Sequence, residues 1–122
     1  MDRKVADVAE LLIKTPGDPS NWPSLQTINS TTINSLGFAS SDNVLEFDKL
    51  DGASSIDYPE LKKILGLSKE DVFITVSDLA SSNKSRIYEY GFARNDTSVV
   101  VTRYGLLNGT LVEVRTQLYY KI

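Results

Sequence analysis

Histidine and cysteine are both absent from the 122 residues, and together these two absences remove most of the common catalytic repertoire. Without imidazole there is no Ser-His-Asp arrangement and no usual zinc site. Without thiol there is no thiolate nucleophile, no cysteine metal cluster and no disulfide, and the redox compartment is left open. Clustered positive charge is lacking too. Thirteen Lys and Arg stand against sixteen Asp and Glu, for a net charge of −3. The basic residues are scattered, so the phosphate neutralisation that nucleic-acid binding requires has no footprint. No apolar run is long enough to cross a bilayer, and no signal-peptide pattern is visible. The glycines, Gly17, Gly37, Gly52, Gly66, Gly91, Gly105 and Gly109, are isolated, which excludes a Gly-rich phosphate loop.

What is present reads as one soluble domain with an ordinary apolar fraction and room for a single core. Val5, Val8, Ala9 and Leu12 recur at i, i+3, i+4 and i+7, which predicts an amphipathic helix with Asp2, Arg3, Lys4, Asp7 and Glu10 on its other faces. Pro16 and Gly17 end it at Thr15. At about a dozen residues the helix is marginal alone and must lie on something. Its N-terminal end has only Asp2 as a possible cap, so two readings stand: Asp2 caps a complete helix, or residues 1–14 are the remnant of a longer helix continuing upstream of Met1.

Residues 15–68 read as loop with two short helices. The first runs from about Val44 to Asp51, capped by Ser41 or Asp42. The second opens at Asp57-Tyr58-Pro59-Glu60, a capping acid three residues before a Glu with proline in the first turn, and closes at Gly66. From Asp71 the period changes to two. Val72, Ile74 and Val76 alternate with Phe73 and Thr75, and further strands follow at Arg86 to Ala93, Val99 to Tyr104 and Leu111 to Tyr120. Asn95-Asp96 and Asn108-Gly109 supply turns, the latter the strongest hairpin signal in the chain. The expectation is an α+β domain, an N-terminal helix packed on a four-stranded antiparallel meander over residues 71–122. That sheet is expected to be apolar on one face and wet on the other.

Chemistry is sparse. The densest carboxylates are Asp42, Glu46, Asp48 and Asp51, whose spacing fits no calcium loop and reads as a solvated face. Tyr88, Tyr90, Tyr104, Tyr119 and Tyr120 raise the question of an aromatic binding surface, although strand packing already accounts for tyrosine in such positions. Trp22 reads as a plug over the end of the core. No catalytic residue, metal ligand or cofactor is expected. One pattern exceeds chance. Asn29-Ser30-Thr31, Asn83-Lys84-Ser85, Asn95-Asp96-Thr97 and Asn108-Gly109-Thr110 all fit the N-glycosylation acceptor, where roughly one match is expected, and all four fall in predicted loops or turns. Asn29, Asn83, Asn95 and Asn108 are therefore candidate modification sites, pointing to a domain that lives outside the cytoplasm.

The run Ala9 to Trp22, with its Thr15-Pro16-Gly17-Asp18-Pro19-Ser20-Asn21-Trp22 segment, is followed by Ser35 to Ala39, Val44 to Leu50 and Tyr58 to Leu67. With the closing Thr102 to Gly109 and its final strand, this order resembles the soluble part of archaeal type IV pilin-like surface proteins. The resemblance implies a pilin-like architecture in which a longer N-terminal helix, hydrophobic in its first half, anchors the subunit in the membrane and joins it to other pilin-like subunits. Arg3 and Lys4 would then sit near the membrane exit, and the isolated domain would be monomeric. The hydrophobic half is not in this sequence. The implied function is a non-enzymatic extracellular subunit of a pilus or pseudopilus, used in assembly and adhesion. Its rivals are a secreted or membrane-tethered module that binds carbohydrate or protein, and a small hydrolase working with two carboxylates.

Overall fold

The computed structural model describes residues 2–67, 69–79, 86–92 and 97–119. Helix α1 (Asp2–Lys14) is followed by a single 3₁₀ turn at Trp22–Ser24, strands β1 (Ala39–Ser41) and β2 (Val44–Leu45), and helices α2 (Phe47–Ala53) and α3 (Tyr58–Ile64). Strands β3 (Asp71–Asp78), β4 (Arg86–Gly91), β5 (Ser98–Leu107) and β6 (Thr110–Tyr119) complete the chain. The strands form one six-stranded sheet in the order β1-β2-β5-β6-β3-β4.

That order corrects the expected architecture. The sheet is not a four-stranded antiparallel meander but a mixed, six-stranded half-barrel, and among the described residues strands outweigh the three short helices. The reason lies in β3. It is an interior strand: its side chains are buried on both faces from Asp71 to Ser77 and its backbone is paired on both edges. It takes β6 over eight paired residues from Asp71↔Tyr119 to Asp78↔Val112, and β4 on the other side. The ten-residue strands β5 and β6 pair with each other through Leu107↔Thr110, which leaves the shorter β4 at the rim, with β3 and β6 between it and its successor in sequence. The predicted Asn95-Asp96 turn lies outside the described residues.

The second correction concerns Val44. The helix expected from Val44 begins only at Phe47, because Asn43 takes a left-handed φ of 63° and Glu46 is extended. Val44 and Leu45 instead form a short strand that pairs antiparallel with β1 and parallel with β5, through Val44↔Leu106 and Leu45↔Leu107. This one parallel pairing makes the sheet mixed. A third correction is local: Asp57 stands at the N-cap of α3 without a side-chain cap bond, and the Glu60 carboxylate turns away to Ser30.

The core gathers on the α1 side of the sheet. Val5, Val8, Ala9, Leu12 and Ile13 are buried, and α1 lies against β5 and β6. Below it, Val72, Ile74 and Val76 of β3 and Val112, Val114 and Leu118 of β6 project from one face by the strand's two-residue period. Two ion pairs fasten α1 at its flanks: Lys4 to Glu70 at 2.8 Å and Glu10 to Arg103 at 2.6 Å. Helix α3 is held by Tyr58, whose hydroxyl donates to Asp71 at 2.7 Å and accepts the Val72 N–H at 3.0 Å. Helix α2 is held by the tyrosines of β4. The Tyr90 hydroxyl donates to the Leu50 carbonyl at 2.6 Å, and that of Tyr88 donates to Asp51.

Candidate functional site

Three places concentrate polar geometry: the seat of α1, an open cleft beside α2, and the two described glycosylation acceptors.

The last carbonyls of a helix have no partner within it and must find donors elsewhere. In α1 those donors come from the segment that leads into β1 and its turn. Phe38 N–H reaches the Leu12 carbonyl at 2.8 Å, Asn43 N–H reaches Ile13 at 2.9 Å, and Ala39 N–H reaches Thr15 at 3.1 Å. Thr15 closes the turn by donating its hydroxyl to Leu11 at 2.7 Å. The Pro16–Asn21 loop then folds back, with Asp18 and Ser35 in an isolated bridge. The chain delivers Trp22 into the core with none of its surface exposed. The Trp22 Nε1–H donates to the Gly37 carbonyl at 3.1 Å. The distinctive run from Thr15 to Trp22 is thus a clasp: the proline and glycine reverse the chain, and the indole locks it.

The cleft has a volume of about 600 Å³ and is open to solvent, between the Ser20–Ser24 turn, Ile28 and α2. Glu46, Asp48 and Asp51 line it, whereas Asp42 lies apart on the β1–β2 turn and pairs with Lys14 at 3.1 Å. The four carboxylates singled out in the sequence therefore do not converge. Lys49, the cation of this cleft, is buried and committed: its Nζ donates to the Ala39 carbonyl at 2.8 Å and pairs with Glu46 at 3.1 Å. Sequence reasoning missed it, because a lysine beside Asp48 in a short helix carries no sign of burial. Among the described residues no group of three acidic ligands is placed to hold a metal ion.

Of the acceptor asparagines, Asn83 and Asn95 lie outside the described residues. Asn108 is exposed at the tip of the β5–β6 hairpin, with φ of 52° followed by 79° at Gly109, as a tight two-residue turn requires. Asn29 is half-buried. Its Oδ1 accepts the Thr31 N–H at 2.9 Å and the Thr31 hydroxyl at 2.6 Å, while Ser30 donates both its N–H and its hydroxyl to Glu60 at 2.7 Å. Both described acceptors therefore sit on turns, Asn108 exposed and Asn29 half-buried. The tyrosines form no common platform: Tyr88 and Tyr90 stack on each other at 6.1 Å and serve α2, Tyr119 is buried, and Tyr104 alone of the described strand tyrosines is strongly exposed. Tyr120 lies outside the described residues.

Four groups have displaced pKa values. The Ser30 hydroxyl and N–H hold the Glu60 carboxyl below the usual carboxylate range. The hydrogen bond from Lys4 does the same for Glu70. Burial, helped by the Asp51 carboxylate, pushes the Tyr88 hydroxyl up to about 12, and burial moves Tyr90 upward as well. None of the four is a group poised to exchange a proton near neutral pH.

The Glu70 shift has a measurable consequence. A carboxyl whose folded pKa is depressed contributes stability that is present above its unfolded value, about 4.3, and is lost as pH falls through the folded value. Lys4 is half-exposed, so solvent screening keeps the pair small. Lys4→Met is expected to lower unfolding stability by about 0.5–1 kcal/mol at neutral pH. That difference should close in acid, and urea midpoints compared at neutral and acid pH will check it.

No protein-family model, curated protein or solved structure matches this chain. No described helix is long and apolar enough to cross a membrane.

Proposed function

We propose that this chain is a non-enzymatic, extracellular subunit of a pilus-like or pseudopilus-like surface structure, with α1 as the base of a stalk and the strand-rich body as the outward part. The observation that carries the reading is the seat of α1. A helix of thirteen residues is too short to persist alone. This one is nonetheless fixed along its whole apolar stripe and capped at its end by the backbone of the body. A helix mounted in this way can carry the body on whatever extends from its other end. The proposal rests on that mount and on the density of glycosylation acceptors, not on any likeness of the sheet, whose strand order is its own. Partner subunits and membrane would be met through the stalk, and the loops and sugars would face outward.

Antibodies raised against this domain are expected to label the surface of intact native cells. Mass spectrometry of native protein is expected to find glycan on at least one of Asn29, Asn83, Asn95 and Asn108. Label confined to the cytosolic fraction, with all four asparagines bare, overturns the reading.

One observation favours a second reading, a secreted or membrane-tethered module that holds carbohydrate or protein. The cleft beside α2 is large enough for a sugar unit and has polar walls. Trp22 cannot serve as its stacking platform, being wholly buried. Titration with oligosaccharides that shifts the amide resonances of Ile28 and Gly52 would support this alternative.

A further inference from the structure

An asparagine keeps its amide only while the backbone nitrogen of the next residue is held away from the side-chain carbonyl carbon, because attack there closes a five-membered imide. A hydrogen bond on that N–H or a bulky following residue supplies the restraint. Three of the described asparagines have the hydrogen bond. The N–H of Trp22, after Asn21, donates to the Pro19 carbonyl at 3.0 Å; that of Ser30, after Asn29, to the Glu60 carboxylate at 2.7 Å; and that of Ser35, after Asn34, to the Asp18 carbonyl at 3.4 Å. The amides of Asn29 and Asn34 are themselves engaged, by Thr31 and by the Asp18 carboxylate. Asn43 is half-buried and is followed by the β-branched Val44 of β2.

Asn108 has none of these restraints. Among the described residues nothing bonds to its side chain or to the Gly109 N–H, and both residues are exposed at the hairpin tip. Glycine carries no side chain to shield its nitrogen. Apart from its chain neighbours, nothing lies within 4 Å of the place a β-carbon on Gly109 would take. The Asn-Gly pair occurs once in the chain.

We infer that Asn108 is a site of spontaneous modification, converting through a cyclic imide with Gly109 to aspartate and isoaspartate. The Gly109 nitrogen loses its proton to solvent and bonds to the Asn108 Cγ; the Cγ–Nδ2 bond breaks, and Nδ2 takes up a proton and leaves as ammonia. Water then opens the ring. Attack at Cγ leaves ordinary aspartate, whereas attack at the backbone carbonyl carbon leaves a main chain that runs through the side chain. Nothing is oxidised or reduced, and water is the only co-reactant. The isoaspartyl product puts an extra backbone atom into a two-residue turn, and such a turn sets the register of the strands it joins. Positive φ angles of 52° and 79° close this one at Leu107↔Thr110. The rearranged link therefore opens that end of the β5–β6 ladder. Both products add a negative charge at the tip and end its use as a glycan acceptor. A glycan needs the nitrogen that the imide expels, so the two fates exclude each other, and the inference stands whether or not any acceptor is used.

Protein produced without glycosylation is kept folded in mildly alkaline buffer and sampled over weeks by trypsin digestion and mass spectrometry. Asn108 is the only asparagine between Arg103 and Arg115, so its peptide reports on it alone. Conversion there is expected to run at least about tenfold faster than at Asn21, Asn29, Asn34 or Asn43, given the unshielded glycine nitrogen, and to yield both the aspartyl and the isoaspartyl peptide. Equal rates, no conversion, or aspartate without isoaspartate overturns the inference. Asn108→Gln, whose longer side chain cannot close the five-membered ring, is expected to stop the conversion with the circular dichroism spectrum unchanged. Conversion of that peptide at the original rate also overturns it. The isoaspartyl fraction is expected to melt below Asn108→Asp, which carries the same charge on an unaltered backbone; equal melting overturns the opened hairpin.

Discussion

Trp22→Ala is expected to be the most damaging single truncation in the chain, costing about 4–5 kcal/mol by the measured behaviour of large-to-small core changes. The side chain is wholly buried at the point where the Pro16–Asn21 loop returns to the core, and its Nε1 is the donor on the Gly37 carbonyl. Alanine removes the indole, leaves a void and strands that carbonyl, which by itself costs about 1–3 kcal/mol when it stays dry. A domain of this size has about 5–15 kcal/mol of stability in all, so the variant should melt roughly 15 °C lower. It should also unfold at much lower urea with its m-value unchanged. Trp22→Phe separates the two contributions by keeping most of the volume and losing the donor; a loss as large as that of alanine would show that the hydrogen bond, not the filled space, holds the clasp.

Gly37→Ala is the second large effect, and it has a different cause. A β-carbon at Gly37 would come within 2.5 Å of the Gly17 nitrogen and closer still to the Thr15 carbonyl oxygen. Both are backbone atoms, already fixed by the Ala39 to Thr15 bond and the Asp18–Ser35 bridge. Neither can step aside without opening the end of α1. The expected cost is about 3 kcal/mol or more, at the upper end of overpacking effects. Gly66→Ala is the control. That glycine has a positive φ of 76° but open space around it, so only the conformational cost of about 1 kcal/mol applies. The single tryptophan reports on both variants: its emission should shift red in Gly37→Ala at temperatures where Gly66→Ala still shows the buried, blue-shifted spectrum. Equal melting curves for the two would show that the clasp yields more easily than its geometry implies.

The clasp itself was partly legible. Pro16 and Gly17 announce the end of α1, and an apolar stripe at helical spacing announces which side it buries. The regular alternation of β3 and the Asn108–Gly109 turn were legible for the same reason: each is written in a few neighbouring residues. What was not legible depends on partners distant in the chain. Nothing local to Val44-Leu45 says that two residues will join β5 in parallel, since the apolar run Val44 to Leu50 also fits a helix. Nothing in β3 and β4 says that β6 will come between β3 and β5. The deciding fact is that Phe73, Thr75 and Ser77 are buried as well as Val72, Ile74 and Val76, and an alternating sequence reads as half-wet. Glu60 shows the same limit at one residue: its spacing from Asp57 promises a capping box, while a serine thirty positions earlier offers two donors instead. The exposure of Leu106, Leu111 and Phe92 was invisible for the converse reason, because they look like ordinary strand residues until the sheet order leaves them outside.

The end of α1 also decides how the body would respond to a pull. Carbonyls in the last turn of a helix point along its axis, so the bonds from Phe38, Ala39 and Asn43 to Leu12, Thr15 and Ile13, respectively, run nearly in the direction of a force applied at Asp2. Tension on the helix would stretch the three together instead of breaking them one after another like a zip. A pull on α1 is therefore shared at once among several backbone links, and the first thing to yield would be the junction as a unit.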